Sequence, residues 1–193
     1  MIIFSKGDPG DGLYVIAEGL VGIKTISKHG KEIFLNIMER GEVFGEIALL
    51  DGKERTAGAV AMESSELLFI SRERFIPFVE QRPNLSRRLL EVLCERLRWV
   101  SDIVEDAMFR DVRGRLARRL LRFSRVYGEN TANGVRIRLR ISQENLGLML
   151  GASRESINKE LRVLQSDQIL SYGRGFFTLH DLDRHTELAE ETR

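Results

Sequence analysis

The sequence has little of what builds metal centres or covalent frameworks. Its 193 residues include one cysteine, Cys94, and three histidines, His29, His180 and His185. A single thiol closes no internal disulfide, and it cannot supply a multi-cysteine zinc site or a four-thiolate iron–sulfur cluster. No pair of histidines has the spacing of a metal-binding motif on a helix, so no metal is expected. Cys94 falls inside a helical pattern and is expected as a half-buried small residue. No apolar run approaches the roughly 20 residues of a membrane span. The opening MIIFSKGDPGDG lacks the basic start and apolar centre of a signal peptide. A cytoplasmic protein with no membrane partner is expected. There is also no G-x-x-x-x-G-K-[ST] loop, no nucleophile elbow and no paired histidines, so the chain is not expected to be an enzyme.

With 42% hydrophobic and 31% charged residues, the composition is that of a globular protein of one large or two small domains. The net charge of +1 conceals an asymmetry. Residues 1–82 hold 10 basic and 13 acidic side chains, whereas residues 109–180 hold 14 basic and 6 acidic ones. The last thirteen residues are acidic again, with 2 basic and 5 acidic side chains. A basic block between acidic ones points to one domain facing a polyanion and another with a different task.

Residues 1 to about 70 read as short strands. LYVIAEGLVGIKTI and KEIFLNIM are rich in branched and aromatic residues, and glycine turns punctuate them. Even spacing without a helical period favours a small antiparallel roll. MIIFSKGD reads as the middle of such a roll, so further N-terminal sequence is expected. A short helix is expected over Arg72–Glu80, and Pro83 opens a longer one. In it, Leu90, Leu93, Leu97, Val100, Val104 and Ala107 fall at alternating steps of three and four, a heptad seam that wants a partner helix. The plainer reading is a helix lying on its own β domain.

Asp111 is placed to cap a new helix from Val112 to about Tyr127. Val112, Leu116, Leu120 and Phe123 give it one core face. Arg113, Arg115, Arg118, Arg119, Arg122 and Arg125 occupy the others, most simply as a solvated face. After an Asn133-Gly134 turn, GVRIRLRIS alternates strictly, as a half-buried strand does.

In SQENLGLMLGASRESINKELRVLQSDQIL, Ser142 can cap one helix and Ser153 a second, with a turn at Gly151 between them. Ile157, Leu161 and Leu164 would face inward on the second. This is a helix-turn-helix. Arg154, Glu155, Ser156 and Lys159 sit near the start of its second helix, where base-reading side chains belong. Arg154 and Lys159 suit guanine O6 and N7, and Glu155 suits cytosine N4. Ser142, Gln143 and Ser156 can donate to phosphate. SYGRGFFTLHD reads as a hairpin wing with Arg174 at its tip. An ordinary charged face would explain Arg154, Glu155 and Lys159 taken alone; with the turn, the caps, the wing and the local charge, DNA reading explains them better.

The order of roll, seam helix and winged helix-turn-helix resembles the Crp–Fnr family of bacterial transcription regulators, close to its cyclic-AMP receptor branch. The resemblance rests on GEIALLDGKERTA, RLRWVSDIVEDAMFRDVRGRLARRLL and LGLMLGASRESINKEL. It implies an α+β protein. Residues 1–82 would form a cyclic-nucleotide-binding roll, 83–108 a dimerisation helix and 109–193 a winged helix-turn-helix. It further implies that Gly45, Glu46, Ile47, Ala48, Arg55, Thr56 and Ala57 form a phosphate-binding cassette. Arg55 and Thr56 would take the cyclic phosphate and Glu46 the ribose 2′-hydroxyl, with Gly45 and Ala57 marking tight backbone. A guanidinium fork suits two phosphate oxygens, and a carboxylate accepts a hydroxyl proton. Two features depart from the best-known cyclic-AMP member. The stretch from Glu46 to Arg55 is one residue shorter, and the purine-facing pair is Val100-Ser101 where that member has Thr-Ser.

The expectation is therefore a homodimeric regulator that binds a palindromic operator. A cyclic nucleotide, cAMP ahead of cGMP, would gate it, and RNA polymerase would be a further partner. The alternative is a regulator of the same fold with no cyclic nucleotide or another effector. A cyclic-nucleotide module serving a kinase or channel would have no use for Arg154, Glu155 and Lys159 on a helix-turn-helix.

Overall fold

The computed structural model describes residues 1–27, 30 and 32–191. His29, one of the three histidines, lies outside them. The chain divides into two compact units, Met1–Arg96 and Leu97–Arg193.

The first unit runs β1 (Ile2–Phe4), β2 (Gly12–Glu18), β3 (Val21–Ile26), β4 (Glu32–Met38), β5 (Val43–Phe44), α1 (Glu46–Asp51), β6 (Gly58–Ala61), β7 (Glu66–Ser71), α2 (Arg72–Glu80) and the start of α3 (Pro83–Phe109). Its strands form a four-stranded sheet in the order β1-β6-β3-β4 and a three-stranded sheet in the order β5-β2-β7. Every pairing is antiparallel. Strands β2 and β3, rich in branched apolar residues, turn Leu13, Ile16 and Val21 inward. Ile16, Val21, Met38, Phe44 and Ala59 meet there as the core. Each large apolar side chain so buried contributes about 1.5–3 kcal/mol. Tyr14 extends the core as an aromatic stack, 5.2 Å from Phe44 and 5.0 Å from Phe69.

The helices after the roll begin where their signals stand. Helix α2 covers Arg72–Glu80, and α3 opens at Pro83, whose missing N–H costs nothing in a first helical turn. Along its 27 residues α3 has no buried side chain. Cys94 corrects an expectation: it is exposed, not half-buried. It lies one residue past Leu93, off the apolar seam, and a helical period carries such a neighbour about 100° round the axis.

The second unit continues with α4 (Val112–Tyr127), β8 (Gly128–Thr131), β9 (Gly134–Ile137), α5 (Gln143–Leu150), α6 (Arg154–Ser166), β10 (Leu170–Gly173), β11 (Phe176–Leu179) and α7 (Leu182–Glu190). Its sheet has the order β10-β11-β9-β8. The Asp111 carboxylate accepts from the Gly114 N–H at 2.9 Å and starts α4. Leu116, Leu120, Ile137, Ile141, Leu146, Ile157, Leu161 and Phe177 are fully buried together with the sheet face.

Two further expectations are corrected here. The alternation of GVRIRLRIS continues in burial through Ile141, but the ladder ends at Ile137. Beyond it Arg138 N–H bonds the Tyr127 carbonyl and Ile141 N–H the Gly175 carbonyl, so those groups are satisfied outside a strand. The arginines of α4 are also not a uniform solvated face. Arg113 pairs with Glu160 at 2.7 Å, Arg118 pairs with Asp106 at 2.7 Å, and Arg119 is buried.

His185 on α7 has no solvent exposure, and neither ring nitrogen has a hydrogen-bond partner among the described residues. Burial holds it neutral and lowers its pKa to about 4, against a smaller opposing pull from Asp181. Between the unfolded value near 6.5 and the folded value, the unfolded chain binds the extra proton. His185 therefore makes stability complete above about pH 6.5 and drains it as pH falls toward 4, by up to about 3 kcal/mol. Chemical denaturation across that window should show His185→Leu with a flatter pH dependence than the parent. An unchanged slope would show that His185 titrates normally.

Candidate ligand cassette and nucleic-acid interface

Strand β5 delivers the chain to Gly45, whose φ of 83° is left-handed and favours glycine. A Cβ there would lie 2.6 Å from Nη1 of Arg55, so the close approach also excludes a side chain. The turn sends Glu46 inward at the start of α1, where it is 1% exposed. Arg55 is 3% exposed and returns from the other end of the loop. Its backbone is fixed by Arg55 N–H to the Asp8 carbonyl at 2.8 Å and by Gly7 N–H to its own carbonyl at 2.9 Å. Its Nη1 donates to the Gly45 carbonyl at 2.7 Å, and its Nη2 donates to Asp11 at 3.0 Å. The guanidinium lies 4.3 Å from the Phe4 ring centroid.

Glu46 has a partner that sequence reasoning missed. Arg96 of α3 donates to Oε1 of Glu46 and to the Val43 carbonyl. The only sequence cue was an arginine flanking the seam between Leu93 and Leu97, 50 residues from the acid it meets. A cavity of about 60 Å³ lies between these groups, also reached by Thr56 and Ala57. Ile47 is exposed and Ala48 is buried beside it. Glu46 Oε2 and Arg55 Nε are buried and have no hydrogen-bond partner among the described residues. One is an acceptor and the other a donor, which fits a ligand that offers a hydroxyl and an anionic oxygen together. The cavity is several times smaller than a nucleotide needs. Val100 and Ser101 are not among the residues lining the cavity. They belong to the second unit, where both are exposed and the Ser101 hydroxyl donates to the Leu97 carbonyl at 3.0 Å.

In the second unit, Ser142 accepts from Asn145 N–H at 3.0 Å and caps α5. Gly151, at φ 63°, ends that helix with its N–H on the Gly147 carbonyl. Ser153 accepts from Ser156 N–H at 3.1 Å and caps α6. The Ser142 hydroxyl, used as an acceptor, keeps its own proton for a phosphate, whereas the Ser153 hydroxyl also meets the Ser156 hydroxyl at 3.1 Å and the Glu155 carboxylate. Ile157, Leu161 and Leu164 are buried, which leaves Arg154, Glu155 and Lys159 exposed on the other side. Arg154 and Lys159 have no ion pair among the described residues. The Glu155 carboxyl is held below the usual range by its own backbone N–H and then by the Ser153 hydroxyl, so it is ionised and ready to accept. Gln143 is half-buried and Ser156 half-buried at the two helix starts. Arg174 and Gly175 form the two-residue turn between β10 and β11, with φ of 54° and 86°, and Arg174 is exposed at its tip.

An antiparallel roll with an anion-and-hydroxyl cassette, and a capped helix pair with a wing, define a DNA-binding regulator that carries a small-molecule module. The comparisons agree with this class. Residues 1–82 match the cyclic nucleotide-binding domain model, and residues 114–184 match the Crp-like helix-turn-helix domain model. A CRP-like cAMP-activated global transcriptional regulator of Mycobacterium tuberculosis is 35% identical over 82% of this chain and 71% of its own length. The cyclic AMP receptor protein of Thermus thermophilus is 32% identical over 97% of this chain and 83% of its own. The structure of FixK2 from Bradyrhizobium japonicum superposes with a TM-score of 0.88 at 21% identity, over 100% of this chain and 94% of that one, and so shares the fold. The chain belongs to the Crp–Fnr family of transcription regulators.

Proposed function

We propose that this regulator is a homodimer whose affinity for a palindromic operator is set by a cyclic nucleotide bound in the roll. The observation that carries the reading is the pair of buried, unpartnered atoms, Glu46 Oε2 and Arg55 Nε, on two residues that line one cavity. Arg55 takes the cyclic phosphate with Thr56 adding a hydroxyl, and the backbone turn from Gly45 through Ala48 to Ala57 keeps the anion close. Glu46 accepts from the ribose 2′-hydroxyl. To do so it exchanges Arg96 for the ligand, and because Arg96 belongs to α3, ligand entry acts on the helix that carries the dimer seam. Val100 offers the purine an apolar contact and Ser101 a hydroxyl. The names of the two relatives favour cAMP over cGMP.

In this reading residues 1–82 sense, 83–108 pair two chains, and 109–193 bind DNA. Arg154, Glu155 and Lys159 read base edges, while Ser142, Gln143, Ser153, Ser156 and Arg174 hold the backbone. The two recognition helices would sit one DNA turn apart, ~34 Å. RNA polymerase is the further partner, and the chemistry needed from this chain is binding alone, without catalysis or metal.

The test measures affinity for a palindromic duplex with no nucleotide, with cAMP and with cGMP. A ligand shifts this equilibrium only by binding one arrangement more tightly, and couplings of this kind amount to about 5–150-fold. A rise in that range with one nucleotide is the expected result. Equal affinity in all three conditions ends the gating reading and leaves a regulator that works without a cyclic nucleotide.

A further inference from the structure

Helix α6 presents Arg154, Glu155 and Lys159 on one side, and its other side is held by Ile157, Leu161 and Leu164, all buried. Apolar burial is non-directional. It holds the helix down but discriminates weakly between small rotations about its axis and small slides along it. Base reading is less tolerant, because a bidentate contact needs its donors in one place. Between Lys159 and Leu161 stands an acid, Glu160. By charge alone it is unwelcome there, since a carboxylate on a helix that faces a polyanion repels it.

Glu160 is engaged elsewhere. Its side chain is 15% exposed, and its Oε2 accepts from Nε of Arg113, 47 residues away on α4, at 2.7 Å. Arg113 lies in the first turn of α4, two residues after the cap Asp111, where α3 gives way to α4. The Glu160 hydrogen bond raises the Arg113 pKa against the opposing effect of burial, and the charges of Glu160, Asp111 and Asp167 add to the rise. With three acids acting on it, this guanidinium is committed within the protein and is not held out to a phosphate. An ion pair with this much exposure adds little stability. Its geometry is another matter. A charge-assisted hydrogen bond is directional, so it is satisfied at one placement of α6 on α4, which the apolar side chains alone do not select.

We propose that Arg113 and Glu160 are positioning residues: their pair fixes the placement of α6 on α4, and with it the aim of Arg154, Glu155 and Lys159 at base edges. The proposal rests on α6 being the reading helix, as in the function proposed above.

The experiment uses the full chain with cAMP present throughout. Its probes are a palindromic duplex that the parent has selected from a random pool and a scrambled duplex of equal length. Arg113→Gln and Glu160→Gln should each lower affinity for the palindrome about tenfold, and change affinity for the scrambled duplex by less than about threefold. Retained binding of the scrambled duplex shows that the domain is folded. The sign for Glu160→Gln is decisive. It removes a negative charge, and charge alone would raise affinity for both duplexes. The double variant should lose no more than either single one, because the pair is already broken. The proposal is overturned if Glu160→Gln binds the palindrome as tightly as the parent or more tightly, or if the two losses add in the double variant. Equal losses on both duplexes overturn it as well. So does a shallower salt dependence for Arg113→Gln, by about 0.9 in slope for each copy, which would assign Arg113 to a phosphate. A parent that binds both duplexes alike would end the operator reading itself, and this proposal with it.

Discussion

Arg55→Ala is expected to remove the rise in melting temperature that the proposed cyclic nucleotide would produce, while the ligand-free protein melts close to the parent. The two effects separate because the partners of Arg55 differ in solvation. Asp11, its ion-pair partner, has a side chain 68% exposed, so losing the arginine strands no buried charge. The Gly45 carbonyl loses one donor and Phe4 one cation–π contact, together about 1–2 kcal/mol. A bound cyclic phosphate, in contrast, would lose its fork inside a closed cavity. Removing one partner of a desolvated charge pair costs about 2–5 kcal/mol, so a loss of affinity of about 100-fold or more follows. Nucleotide at 100 times its dissociation constant stabilises the parent by about 2.7 kcal/mol, and after a 100-fold loss by only about 0.4 kcal/mol. Differential scanning fluorimetry with and without cAMP reads this directly. Arg55→Lys, which keeps the charge but not the fork, should fall between. An Arg55→Ala protein that keeps the full shift would remove Arg55 from the site.

Much of the frame was legible because its signals are local. Pro83, Asp111, Ser142, Gly151 and Ser153 each act on the turn in which they sit, and α3, α4, α5 and α6 start or stop at them. The heptad steps set the seam, and the branched and aromatic runs between glycine turns marked β2, β3 and β4. What escaped depends on distant partners. Strand β8, with the sequence GENT, is polar and mostly exposed, and it is a strand only because β9 pairs with it. Helix α7 buries a histidine where an apolar residue would have announced a core face. The α4 pattern carried no mark that Arg119 faces inward while Arg115 does not, because the burying elements, α3 and α7, are supplied from elsewhere in the chain.

The cassette shows the same limit. Residue types gave an acid for a hydroxyl and a guanidinium for a phosphate. That Glu46 is held by Arg96, and that Arg55 is held by Asp11 and Gly45, are contacts across 50, 44 and 10 residues. Those contacts give the roll a closed set of internal pairs, one of which reaches the seam helix, and under the proposed function a ligand would have to replace them. No pattern of spacing within GEIALLDGKERTA contains this.

Leu97→Asp is expected to convert the dimer to single chains and to lower palindromic operator affinity about 100- to 10,000-fold. Leu97 is 68% exposed, and Leu90, Val100 and Val104 are likewise exposed along the same seam. No residue of α3 is buried, and heptad steps match such an exposed row to a copy of itself. Two-fold pairing makes one substitution act twice. The apolar contribution of two leucines, about 1.5–3 kcal/mol each, is lost, and two carboxylates are placed facing each other across the interface. The dimer should therefore weaken by more than about 4 kcal/mol, roughly 1000-fold or more. Operator binding follows because the second half-site is an intramolecular event only while the chains are joined, and that linkage supplies about 10²–10⁴ in avidity. Analytical ultracentrifugation reads the first effect, and titration of full-palindrome against half-site duplexes reads the second. Full and half sites should become nearly equal for the variant, whereas Leu97→Met should behave as the parent. A Leu97→Asp chain that stays dimeric and still prefers the full palindrome would place the pairing surface away from α3, and the proposed route from Glu46 through Arg96 to the DNA would lose its middle step.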